Sequence, residues 1–220
     1  MHPIQLLTAL KTYEQGHGER GKSTWTPVPQ VIDALNAAFY TAFKNVVPTN
    51  KRIMLALDVS GSMGWGTIAG APGITPAVGA AAMALVTAAT ESSYMIFGFA
   101  DTFRPLTISP SQRLDDVVKY TAKMTFGRTD CAQPMLYAIE KKLEVDAFVV
   151  YTDNETWAGS IHPVQALRMY RQKSGIPAKL VVVGMTATGF TIADPDDAGS
   201  MDVVGFDSAA PAVIADFIRS

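Results

Sequence analysis

The 220 residues are 48% apolar and 17% charged, which excludes a disordered chain and suffices for one packed domain, or one with an appendage. The formal net charge of −2 lacks the basic excess with which nucleic-acid binders displace counterions. Tight RNA binding by this chain alone is therefore not expected, and no apolar run is long enough to span a bilayer.

Ile4, Leu6, Leu7 and Leu10 recur at helical spacing and predict a helix over 3–15, stopped by Gly16. A glycine-rich loop carrying Arg20 and Lys22 follows over 16–23. A second helix is predicted over 28–46, with Val31, Leu35, Ala38, Phe39, Ala42 and Phe43 on one stripe. After residue 50 the rhythm changes. Residues 53–57 read as a buried strand, 64–76 as a loop, and 77–90 as an alanine-rich helix able to approach a sheet closely. Residues 94–99 and 105–108 read as two strands of an antiparallel hairpin turning at Asp101-Thr102. Helices over 114–123 and 132–142 bracket a loop at 124–130. Residues 147–151 and 180–183 are two further apolar strands, separated by a helix over 163–173. Short edge strands are expected over 188–194 and 203–206, before a last helix over 211–219. Strands alternating with helices, three of them apolar throughout, predict an α/β fold. Its sheet is expected to be doubly wound and mostly parallel, with an N-terminal helical extension.

The single cysteine, Cys131, cannot form an internal disulfide, which favours a reducing, cytoplasmic setting. The start, Met1-His2-Pro3-Ile4, has no basic segment followed by an apolar core, so no secretory signal is expected.

The chemistry concentrates where the first apolar strand runs into Asp58-Val59-Ser60-Gly61-Ser62. One carboxylate and two hydroxyls arrive together at the carboxyl end of a strand, where open α/β sheets place their ligands. Thr129, in the loop Gly127-Arg128-Thr129-Asp130, and Asp153, directly after residues 147–151, lie at other strand ends or loops of the same sheet edge. Two carboxylates balance a divalent charge, and hydroxyls add neutral ligands, a set suited to Mg²⁺. No base adjoins either serine, so nucleophilic catalysis is disfavoured.

Asp58-Val59-Ser60-Gly61-Ser62 with Thr129 and Asp153 resembles the metal-ion-dependent adhesion site (MIDAS) of von Willebrand factor A domains, a Rossmann-like fold. By that resemblance Ser60 and Ser62 bind a divalent cation directly, Mg²⁺ before Mn²⁺ or Ca²⁺. Thr129 and Asp153 bind it directly or through water, and Asp58 mainly orients ligands. An acidic residue of a protein partner completes the shell. The segments 129–135, 152–159 and 189–197, and the early stretch from His2-Pro3 to Gly21-Lys22, resemble the Ro ribonucleoprotein autoantigen (TROVE-type) family. Its members join an A domain to a ring of helical repeats that holds Y RNA and misfolded RNA. The resemblance implies a helical remnant of the ring over 1–49, an A domain over 50–220, and a fragment lacking most of the ring. Arg128 stands where the family commonly has a second glycine.

Plainer roles stand beside these. Asp58-x-Ser-x-Ser is also an ordinary turn whose side chains cap backbone amides, and Asp130 is also a helix N-cap. Cys131 suits a small buried apolar position. His2, His17 and His162 lack zinc spacing, and His162 before Pro163 suits a helix start. Arg168, Arg171, Lys173 and Lys179, like Arg20 and Lys22, form either an RNA-facing patch or a solvated face. The leading expectation is a non-enzymatic binding module. The alternatives are a metal-dependent phosphoryl-transfer enzyme using Asp58, disfavoured because Ser60 replaces the usual second Asp, and an autonomous RNA-binding fragment. Apolar stripes on the N-terminal helices, if uncovered, would promote self-association.

Overall fold

Six strands form one sheet in the order β3-β2-β1-β4-β5-β6. The computed structural model describes residues 1–18, 22–71, 73–100, 102–124, 129–153, 159–186 and 192–220. The central strand β1 (Ile53–Asp58) pairs in parallel with β2 (Tyr94–Phe99) on one side and β4 (Ala147–Thr152) on the other. Beyond β4 lie β5 (Lys179–Gly184) and β6 (Ser200–Val204), both parallel. Only β3 (Phe103–Pro105) runs antiparallel, against β2.

Every residue of β1 and β4 is buried, because helices cover both faces of the sheet. The pleat then sorts side chains by parity. Ile53, Leu55 and Leu57 join Val149, Tyr151, Val181 and Val183 in one core layer. Met54 and Ala56 join Phe148, Val150, Leu180 and Val182 in the other. The first layer is covered by α3 (Pro76–Thr90) and α7 (Ala210–Arg219), the second by α5 (Gln133–Lys141) and α6 (Pro163–Ser174). Helix α4 (Leu114–Thr121) lies beside α3.

Helix α3 starts where the Thr75 hydroxyl accepts the Val78 N–H at 3.3 Å, with Pro76 in the first turn. Helix α6 starts at His162, whose Nδ1 accepts the Val164 N–H at 3.3 Å, and ends at Gly175 in the left-handed region. The N-terminal helices α1 (Pro3–Glu14) and α2 (Pro29–Thr41) send Ile4, Leu7, Leu10 and Phe39 into the same core layer as α3. The Tyr40 hydroxyl, accepting the Leu114 N–H at 2.7 Å, ties α2 to α4.

Two edges differ from expectation. The hairpin strand falls at Phe103–Pro105 instead of 105–108, because the Ala100 N–H bonds to Thr102 O at 3.2 Å and Phe103 already pairs with Phe99. Phe103 stacks on Phe97 at 4.4 Å, and Pro105 sits on the sheet edge where its missing N–H costs nothing. The last strand covers Ser200–Val204 instead of 203–206. Its interior Asp202 hid it from an apolar pattern, yet that carboxylate accepts the Ala193 N–H. Residues 192–194 are not strand. Residues 188–191, Arg20 and Asp101, expected at the turn, lie outside the described residues.

The starts of β1 and β4 are locked together. The Arg52 guanidinium donates Nε to Asp146 Oδ2 at 2.9 Å and Nη2 to Oδ1 at 2.6 Å, and the Arg52 N–H also reaches Oδ2 at 2.8 Å. The bond from Arg52 holds the Asp146 carboxyl below the usual carboxylate range. A carboxyl depressed in the folded state stabilises fully above its unfolded value of about 4, and loses that contribution as pH falls through the folded value. Asp146→Asn is expected to lower unfolding free energy by about 1 kcal/mol at pH 7, the group being partly exposed. In urea titrations, the gap from the parent chain should close as the pH drops through the carboxylate range.

Candidate metal centre

The chain leaves β1 toward β2 on one side and reaches β4 on the other, so a crevice opens at the carboxyl ends of β1 and β4. The parallel register sets Leu57 beside Tyr151, which brings Asp58 and Thr152 to the same level at the rim. Asp58 is only 3% exposed and yet well supplied with donors. Its Oδ1 accepts the Ser60 N–H at 2.8 Å. Its Oδ2 accepts the hydroxyls of Thr152 at 2.9 Å and Thr129 at 3.2 Å. Burial pushes the Asp58 carboxyl up, the Ser60 and Thr152 donors pull it back, and the nearby Asp153 charge adds to the rise.

Beyond Asp58 a 3₁₀ turn over Gly61–Gly64 closes through Met63 N–H to Ser60 O at 3.2 Å and Trp65 N–H to Ser62 O at 2.9 Å. That turn sets the hydroxyls of Ser60 and Ser62 3.0 Å apart. Asp153, 6% exposed, follows β4, and its backbone carbonyl accepts the N–H of Thr186 at 2.8 Å and that residue's hydroxyl. Asp58 thus touches Ser60, Thr129 and Thr152 and feels the Asp153 charge, while Ser60 meets Ser62.

Thr152 was missed in the sequence because a threonine ending an apolar run reads as part of the strand. Its position as the last residue of β4, opposite the end of β1, was the available signal.

Asp130 serves the turn into α5: its Oδ1 accepts the Ala132 N–H at 3.0 Å. Burial raises its carboxyl, and that N–H opposes the rise. Gly159 has φ +149°, a conformation L side chains rarely adopt, and a β-carbon there would also meet the Asp130 carboxylate. Cys131 is fully buried. Burial first, and the charges of Asp58 and Asp130 next, push its thiol far above the ordinary range, which leaves it a packing residue. His2 caps α1 and His162 caps α6. Arg168 pairs with Asp194 at 2.6 Å and Arg171 with Asp197 at 2.7 Å, so much of the suspected basic patch is neutralised. Lys179 reaches the Ser220 hydroxyl at 2.7 Å. Gly127, Arg128 and residues 154–158 lie outside the described residues.

The donor chemistry fits a hard cation. Among the described residues no group of three or more His, Cys, Asp or Glu side chains gathers to hold a metal, so a cation here would rely on hydroxyls and two carboxylates. An octahedral Mg²⁺ shell, with bonds of about 2.1 Å, has edges of about 3.0 Å. The Ser60–Ser62 oxygen separation matches such an edge.

The family model of the Ro60 vWA (von Willebrand factor A) domain matches residues 52–218. The chain belongs to the Ro60 von Willebrand factor A family. Over 219 residues it is 55% identical to the RNA-binding protein RO60 of Deinococcus radiodurans and 44% identical to that of Caenorhabditis elegans. It spans 41% of the length of the first and 34% of the second. The crystal structure of the Deinococcus radiodurans RO (RSR) protein superposes with a TM-score of 0.95, covering all of this chain and 44% of that one. The fold is therefore that of a Ro60 A domain, a mostly parallel α/β sheet. No helix among the described residues is long and apolar enough to cross a membrane.

In this Ro60 A domain the Thr152 hydroxyl is fully buried, and its partner is a buried carboxylate. Thr152→Val keeps the shape and removes the donor. Chemical denaturation is expected to show a loss of about 1.5–3 kcal/mol, the range for hydrogen bonds to charged groups.

Proposed function

We propose that this A domain is the non-enzymatic binding module of a Ro-type RNA-binding protein, and that it holds a divalent cation which receives an acidic residue from a protein partner. The observation that carries this reading is the Asp58 carboxylate. It is buried and takes the hydroxyl protons of Thr129 and Thr152. A threonine hydroxyl that donates inward keeps its lone pairs for a cation, so Asp58 positions ligands instead of binding the ion itself. Ser60 and Ser62 supply direct oxygens, Thr129 and Asp153 bind directly or through water, and the all-oxygen donor set of hydroxyls and two carboxylates suits Mg²⁺ first, with Mn²⁺ or Ca²⁺ as alternatives. When bound, the cation supplies a Lewis-acidic point for a carboxylate. The two aspartates leave the loaded site close to neutral, so a further anion is welcome.

The hydrogen bonds of Asp58 also speak against the phosphoryl-transfer alternative. Three protein donors share its two oxygens, and position 60 offers a serine where a general acid would be needed. Residues 1–49 are read as the helical remnant and 50–220 as the A domain, in a cytoplasmic protein. Y RNA and misfolded RNA are assigned to the whole protein, whose relatives carry the RNA-binding name. Leu7, Leu10 and Phe39 are buried, so self-association through the N-terminal helices would have to use the exposed Val28 and Val31.

Titration calorimetry should show one Mg²⁺ or Mn²⁺ per chain, and Mn²⁺ anomalous diffraction should place it beside Ser60 and Ser62. Ser60→Ala with Ser62→Ala should abolish uptake, and Asp58→Asn should weaken it at least about tenfold, the effect expected for a residue that orients ligands. Absence of any cation at saturating concentration would overturn the metal reading. Filter binding of a structured small RNA across a salt series should give only weak association with this chain. Tight binding with a steep salt slope would restore the RNA-binding-fragment alternative.

A further inference from the structure

A second feature opens at the same rim. Between α3 and the 3₁₀ turn lies a cavity of about 220 Å³, with Asp58 and Ser60 forming one wall. It exists because α3 turns alanines toward it: Ala77, Ala80 and Ala81 stand at i, i+3 and i+4, on one helix face. Farther along, the same helix fills its surroundings with Met83, Leu85 and Val86. Buried Met63 forms part of the lining, and Trp65 stands at the mouth, 78% exposed. An indole left in water beside an apolar hollow is an unusual expense for a folded chain, and tryptophan is the residue most enriched at binding hot spots.

Resting on the metal reading above, we propose that the partner's metal-seeking acid is accompanied, within two residues, by a bulky aliphatic or aromatic side chain that enters this alanine-lined cavity under Trp65. Ser60 belongs to both places, as a candidate ligand of the cation and as a wall of the cavity. The two subsites are therefore continuous, and an extended peptide, rising about 3.3 Å per residue, can reach both. The volume falls below the roughly 300–1,000 Å³ of ordinary small-ligand pockets, so it suits one side chain. The pairing also assigns separate tasks. A cation with an open coordination position accepts any exposed carboxylate, whereas the cavity selects among acidic partners by what lies next to the acid.

Three synthetic peptides test this, each with terminal lysines for solubility: a glutamate flanked on both sides by two leucines, the same glutamate flanked by alanines, and a glutamine flanked by leucines. Calorimetry with the intact chain and saturating Mg²⁺ should show the leucine–glutamate peptide binding at least about tenfold tighter than the alanine one, as burial of one leucine requires. The glutamine peptide should fail to bind, and chelation of the metal should abolish binding. Ala77→Leu fills the cavity from a half-buried helical position and should erase the leucine preference while Mg²⁺ uptake persists. Trp65→Ala, at an exposed site, should reduce the preference without loss of stability. Equal affinity for the leucine and alanine peptides with Mg²⁺ bound would overturn the cavity assignment and leave the metal reading intact. Failure to take up Mg²⁺ would overturn both. Leucine-peptide binding that ignores the metal or the glutamate would overturn the coupling between acid and apolar side chain.

Discussion

A carboxylate buried at the end of a central strand is unstable company for an apolar core unless donors surround it, and the rim of this sheet is organised around meeting that demand. Asp58 draws a backbone N–H from its own turn, a hydroxyl from the adjacent strand end and a hydroxyl from the loop before α5. Three segments distant in sequence are thereby held to one point. Removing the carboxylate would release the turn that carries Ser60 and Ser62, the loop that carries Thr129, and the partner of buried Thr152 together. The opposite ends of the same two strands are clamped by Arg52 and Asp146, so β1 and β4 are fixed at both extremities. A rigid register is what lets side chains from separate crossovers share one small volume.

Much of this was readable beforehand, and for definite reasons. Strands covered on both faces must be apolar throughout, so residues 53–57, 147–151 and 180–183 announced themselves, and their order between helices fixed the parallel arrangement. Polar residues placed directly after such runs have few structural excuses, which made Asp58 and Asp153 conspicuous. Thr152 was hidden by its own suitability as a strand residue. The edge strands were misplaced because an edge tolerates polar residues such as Asp202 and prolines such as Pro105, and a period-based reading discards both. The cavity was illegible as well, since it depends on which face of an alanine-rich helix meets a turn far away in the chain.

The basic residues show what the sequence left open between two readings. Arg168, Arg171 and Lys173 on one helix look like a surface prepared for phosphates. In the fold, the segment before β6 returns across that helix and delivers Asp194 and Asp197 to the two arginines. Arg171 also donates to the Ala178 carbonyl at 2.8 Å and so braces the start of β5. Charge that seemed available for a partner is consumed in anchoring an edge strand, in keeping with the slightly acidic balance of the chain.

Cys131 sits sealed in the core beneath the rim, with a thiol that burial first, and the charges of Asp58 and Asp130 next, keep protonated. Electrophiles reach that sulfur only when the packing around it opens locally. Its alkylation therefore reports how often that packing opens, not how nucleophilic the free thiolate is.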